Sequence, residues 1–306
     1  MLTGGGRYRR GVHVNPTPAR RLAAAIEPIA GQAQFSPEAQ AAYERLGFAA
    51  SPGRVGSTVI PDRSAYLCAR SAVLGDVPGT VVAAAFGVFD PDAVVPLVTE
   101  GRARADAATL WACREAGAVA QLRRVLGEPD PQAVRTVTDE LLAAAAVLPV
   151  AGRALAAGQR ALPVPDEPLA RLWRATDQLR EHRGDAHIIA WTAEGLDGLE
   201  VGLLGDLYWG LPPRSHTAGR GWSTERLESA EARLVARGLL VDGGGGLTED
   251  GFALRDHIEL RTDALLDPAL DRLAPVLDDI VATLAPWSAS LVAAGAYLSP
   301  PVRFTF

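Results

Sequence analysis

"GWSTERLESAEARLVARGLLVDGGGGLTEDG" occupies residues 221–251, and its punctuation suggests the fold. Leu227, Ala230 and Leu234 share one face of a predicted helix over 224–237, and Gly238 ends it. "LLV" and "LT" then flank a run of glycines, the pattern of a small two-stranded wing. A further helix follows in "FALRDHIELRTDALL". Upstream, Asp197 with Glu200 three positions later is a capping-box start for "GLEVGLLGDLYWG". Helix, helix, helix, wing, helix is the order of a winged helix-turn-helix.

Outward from this head the chain alternates alanine-rich amphipathic segments with Gly and Pro breaks, and strand-like alternation is nearly absent. Helices are predicted over 19–30, 37–46 (after Ser36 and Pro37), 78–89, 90–98 (after Asp90 and Pro91), 102–126 and 131–147. The segment 54–75 ends in a helix closed by Gly75. "LPVPDEP" (162–168) carries three prolines in seven residues and reads as a linker. Beyond it, a helix over 168–182 is predicted to stop at Gly184, with Asp185 capping "AHIIAWTAE". Long helices follow in the last segment, the final one over 269–295. The expected organisation is a tail (1–20), a helical N-terminal domain (21–161), a linker (162–168) and a winged-helix domain (169–306). The fold class is mainly α: a helical half packed on a winged helix-turn-helix with a small two-stranded wing.

Composition narrows the chemistry. All 30 basic residues are arginine, which excludes Schiff-base lysines, P-loop lysines and Ser–Lys dyads. Any anion must be met by guanidinium groups or backbone N–H groups. The longest apolar run, "LLAAAAVLPVAG" (141–152), is far shorter than the ~20 residues of a membrane span, and no apolar signal region follows the basic N-terminus. Cys68 and Cys113 make no metal-finger spacing and fit a reducing compartment. The expected address is the cytosol, with no membrane partner. Dinucleotide-binding, nucleophile-elbow, zincin and CxxC motifs are absent, so no cofactor and no metal are expected.

The stretch "LVARGLLV…LTEDGFALRD" resembles the MarR-type winged-helix family, in which "L…RGL" closes the recognition helix and "LT..G" opens the next. "RGDAHIIAWTAEGLDGLE", "RGWSTERLESAEARLVARGLL" and "RDHIELRTDAL", with "ARSAVLG" and "FDPDAVV" upstream, resemble a group of actinobacterial helix-turn-helix-fold proteins over roughly residues 35–285. That second resemblance implies a fold and no established activity. The first implies a pocket for a small aromatic or lipophilic molecule between a helical region and the winged helix.

Charge argues against DNA as the partner. Residues 164–306 carry 13 arginines against 22 acidic residues, the reverse of a duplex-binding module. Glu225, Glu228 and Glu231 stud the 224–237 helix, and "DGGGG" offers a phosphate only backbone. The alternative, a ligand-responsive transcriptional regulator, would use Arg220, Arg226 and Arg233 on backbone or bases; locally, five arginines face three glutamates over 214–237. A homodimer is compatible with either reading.

The primary expectation is therefore a small-organic-ligand binder, with cofactor-free acid–base catalysis as its enzymatic version. Arg70, set in the apolar helix "AYLCARSAVLG", either reaches solvent or binds a carboxylate, internal or from a ligand, and is the expected anchor for a ligand's anionic group. His187 lies one helical turn before Trp191 and is a candidate base at a pocket rim, or else a capped surface residue. Trp191, Tyr208 and Trp222 are the candidate aromatic lining of that pocket, or else core anchors. Glu259 and Asp263 share a helix face with Arg255; buried, Glu259 would be a catalytic partner and Asp263 a ligand contact, whereas in solvent they form an ordinary charged face.

Overall fold

Side-chain caps start most of the helices. The computed structural model describes residues 17–298; the expected tail lies outside them up to residue 16, and its last three residues are helical instead. Thr17 opens α1 (Pro18–Gly31), Ser36 opens α2 (Pro37–Arg45), and Asp62 opens α3 (Arg63–Arg70), each accepting a first-turn N–H. A short turn after α3 ends at Gly75, whose φ of 76° a side chain would resist. Next come α4 (Gly79–Phe86) and α5 (Pro91–Arg102), the latter capped by Asp90. The predicted helix over 102–126 divides: Asp106 accepts from Thr109 N at 2.8 Å and starts α6 (Ala107–Leu126). α7 (Pro131–Val147) and α8 (Ala154–Ala161) complete the first half.

A two-stranded antiparallel ladder that sequence reading passed over lies at β1 (Gly53–Val55) and β2 (Thr58–Ile60). Three residues per strand are too few for alternation to register.

The second departure is α9 (Pro168–Ala193). Gly184 does not stop it; 26 residues run unbroken. A mid-helix glycine costs about 1 kcal/mol, and burial of the helix on both sides of it outweighs that. Leu172, Trp173 and Leu179 sit in the larger core, with Trp173 Nε1 donating to Ala30 O at 3.1 Å. Ala190 and Trp191 sit in a second core. Residues 162–168 join α8 to α9 but separate no cores.

The second core is the winged helix itself: the end of α9, α10 (Gly198–Tyr208), α11 (Thr224–Ala236) and α12 (Glu249–Ala264) close over Leu204, Ala230, Leu234 and Ile258. The capping box at Asp197 and Glu200 is formed as read. The wing is pared to one bridge, Leu240 opposite Leu247, with Val241 N bonded to Gly246 O at 3.0 Å. The predicted terminal helix breaks into α13 (Asp267–Leu273) and α14 (Leu277–Ala293). Both return to the first half, where Leu273, Leu284 and Leu291 join the larger core.

The two cores meet along residues 87–93. A Cβ on Gly198 would lie 1.8 Å from Gly87 O, so glycine there lets two backbones touch. Trp222 Nε1 donates to Val88 O at 3.0 Å, and Asp90 N to Arg220 O at 3.1 Å. Among the described residues no single helix is long and apolar enough to cross a membrane.

Candidate functional site

A cavity of about 490 Å³ opens at this junction, within the ~300–1,000 Å³ of small-molecule sites. α3 contributes Tyr66 and Arg70; the end of α4 and the residues after it contribute Phe86 and Phe89; α9 contributes Asp185 and Trp191. β2 and the segment before α11, with His216 and Arg220, complete the wall. Tyr66, Phe86 and Phe89 form a three-ring cluster with centroids 5.9–6.3 Å apart.

Arg70 lines this cavity, and its charge is met internally. Nε and Nη2 grip both Glu181 oxygens at 3.0 and 2.8 Å, Nη1 donates to Tyr66 Oη at 3.1 Å, and the guanidinium stacks 4.7 Å from the Phe86 ring centre. Burial works against both charges. The pairing overcomes it: Arg70 is held well above its ordinary pKa, and Arg70 with Arg180 holds Glu181 down to about 2. Of the two options for Arg70, the internal carboxylate is the one realised.

Trp191 also lines the cavity, and Arg220 shares its wall. Burial lowers the Arg220 pKa despite nearby Asp206. His216, unmarked in sequence, lies beside it with Nδ1 3.7 Å from Asp206 Oδ1, and burial lowers its pKa too.

The other predicted site residues are placed elsewhere. His187 is neither at the rim nor on the surface. It is 3% exposed, and Nδ1 lies 3.0 Å from Thr262 Oγ1. Because that hydroxyl already donates to Ile258 O, His187 must donate through Nδ1–H. Burial drives its pKa to about 3, so the ring is neutral. Glu259 is buried but saturated by Arg255 at 2.7 Å and Arg183 at 3.3 Å. Asp263 accepts from Thr17, Arg20 and Arg183 at 2.9–3.3 Å. This buried network joins α1, α9 and α12, and it is separate from the cavity. Tyr208 is also outside the cavity, donating to Asp256 at 2.5 Å beneath Phe252 and Arg255. Trp222 packs behind the wall through its bond to Val88 O.

The residue that sequence reading undervalued is Asp185. It appeared as the cap of a helix beginning at 186. In the fold it caps a different one: Oδ2 accepts from Ala156 N, at the start of α8, at 2.9 Å. It is 4% exposed, and burial, reinforced by Glu181, raises its pKa to about 7. Tyr66 was detectable, since it lies four residues before Arg70 on one helix.

Of the arginines assigned to DNA in the alternative reading, Arg220 lies in the cavity wall, whereas Arg226 and Arg233 are exposed and paired with the chain's own carboxylates. Arg226 bonds Asp90 and Asp92, both at 2.6 Å. Arg233 bonds Glu200 at 2.9 Å and Asp197 at 2.8 Å, and Arg214 pairs with Glu231. Among the described residues no group of three or more His, Cys, Asp or Glu has an arrangement that could hold a metal ion.

Against known families, the model of a helix-turn-helix family matches residues 19–298. The chain belongs to that helix-turn-helix family. The match runs from α1 to beyond α14, so the family unit includes the first half and the cavity together with the winged head. No curated protein and no solved structure matches the chain.

Proposed function

We propose that the protein is a cytoplasmic small-molecule-binding protein whose helix-turn-helix head no longer grips DNA. The observation that carries this reading is the cavity at the junction of the two cores, walled by aromatics with a few polar groups converging on it. The pairing of the exposed Arg226 and Arg233 with the chain's own carboxylates supports the second half of the reading, because a phosphate would have to compete for those charges. The motif resemblance around 233–256 supports a MarR-like placement of the ligand, with specialised metabolism as its source.

The test has two arms. Native mass spectrometry of the purified full chain is expected to reveal a co-purifying small molecule, and melting temperature to rise when lipophilic aromatic compounds are added. Random and upstream duplexes are expected to go unbound at low salt. Tight duplex binding with a steep negative salt slope would instead establish the regulator. A chain that neither carries nor is stabilised by any compound would overturn the ligand reading.

A further inference from the structure

We propose that Asp185 and Tyr66 form a catalytic acid–base pair that moves a proton beside the carbonyl of an apolar ketone bound in the cavity. The inference rests on the small-molecule reading above and adds a reaction to it.

The α9 face made by Gly184, Asp185, Ile188 and Trp191 is turned to the cavity. Asp185 brings a carboxyl into a wall that is otherwise largely apolar. The first turn of α8 holds it from behind through Ala156 N at 2.9 Å, with Leu155 N beside it. These backbone donors fix the carboxyl in the cavity wall. The charged groups facing Asp185 are Arg70 from α3, Glu181 one turn earlier on α9, and Arg153 at the start of α8. Burial is the largest influence on it, so the group titrates near neutrality, where a general base is most effective.

Tyr66 supplies the complementary donor. Its oxygen accepts Arg70 Nη1 at 3.1 Å, so its own hydrogen is directed to some other acceptor. The arginine cannot swing away, because Glu181 clamps it at two points. A Cβ built on Gly184 would sit 4.0 Å from Arg70 Nη2, so the guanidinium that holds Tyr66 also packs near the helix residue preceding Asp185. An acid and a base thus border one cavity, each held by a buried partner. Phe86 and Phe89 pack against Tyr66 and keep that end apolar.

The step balances without an oxidant. The Asp185 carboxylate removes a proton from the carbon next to the carbonyl, and the C–H pair becomes the enol double bond. The carbonyl oxygen takes the developing charge under the Tyr66 hydrogen bond. Return of the proton from Asp185 to the same carbon exchanges it. Return to the γ carbon of an unsaturated ketone moves the double bond into conjugation.

The full chain can be tested with 2-tetralone in D₂O, following loss of the α-proton signals by NMR. Exchange is expected to exceed the rate in matched buffer by about 100-fold or more, rising with pH through about 7 as Asp185 ionises. Asp185→Asn, whose amide oxygen still accepts from Ala156 N, is expected to abolish the acceleration while saturation transfer still reports bound ketone. Tyr66→Phe is expected to slow exchange about tenfold or more. Exchange at the buffer rate with the ketone bound overturns the inference and leaves the binding reading intact, as does acceleration that survives Asp185→Asn. A ketone that never binds, in a chain that no other compound stabilises, sinks both.

Discussion

Arg226 and Asp90 are ion-paired at 2.6 Å, locking the start of α11 to the cap of α5. In a DNA-reading winged helix the first turn of this helix meets base edges; here its cation is held by the protein's own first half. Asp92 completes the clamp at 2.6 Å. The doubly substituted Asp90→Asn, Asp92→Asn chain keeps an N-cap residue and releases Arg226. It is expected to acquire weak, salt-sensitive duplex retardation that the parent lacks. Unchanged retardation would show that the clamp has no bearing on DNA.

Stability is expected to fall on mild acidification. Burial lowers His187 to about 3 and His182 to about 4. The unfolded chain therefore takes up these protons first, from about pH 6.5 downward, while the folded chain stays neutral. Each histidine adds a slope of about 1.4 kcal/mol per pH unit between its folded and unfolded pKa values. Denaturant melts from pH 4 to 7 should show stability rising with pH, and His187→Gln should remove about one proton's worth of that slope.

Asp185 acts with the opposite sign. Its folded pKa is raised to about 7, so the folded state keeps a proton that the unfolded carboxyl releases near pH 4, and stability is lost as pH rises between the two. Asp185→Asn is expected to be more stable than the parent at pH 8, by about 1 kcal/mol or more, and to match it below about pH 4. Equal denaturation midpoints at pH 8 would count against a buried, cavity-facing carboxyl.

Gly184→Ala separates fold from cavity. A Cβ there meets nothing nearer than Arg70 Nη2 at 4.0 Å. The helix should gain about 0.5–1 kcal/mol, seen as a higher melting temperature, while the methyl group takes cavity space and weakens ligand binding.

Gly198→Ala tests the junction. Its Cβ would fall 1.8 Å from Gly87 O, whereas one on Gly219 would meet nothing within 4 Å. The first variant is expected to lose about 2 kcal/mol or more or to fail to fold. Gly219→Ala should melt with the parent.

What the sequence made legible was local. Ser36, Asp90 and the Asp197–Glu200 box each announce a helix start within three residues, and each forms. Gly184 misled because helix breaking is a local tendency, while the burial of Trp173 and Trp191 that sustains α9 depends on helices far away in the chain. The site failed for the same reason. Asp185 was read as capping its own helix, but its partner Ala156 lies 29 residues earlier. His187 and Glu259 stand out in sequence as candidate catalytic groups, yet their partners Thr262, Arg183 and Arg255 make them a buried strut. Arg70 gave the strongest sequence clue, since an arginine in an apolar helix needs a carboxylate, although nothing nearby in sequence pointed to Glu181.

α9 is a single rod of 26 residues, roughly 39 Å long at 1.5 Å per residue. Trp173 anchors it in one core, Trp191 in the other, and Asp185 lies between them. The helix therefore ties the winged head to the chamber beside it. A cut near its middle would part the tryptophan of one hydrophobic centre from that of the other and leave each without part of the helix they share.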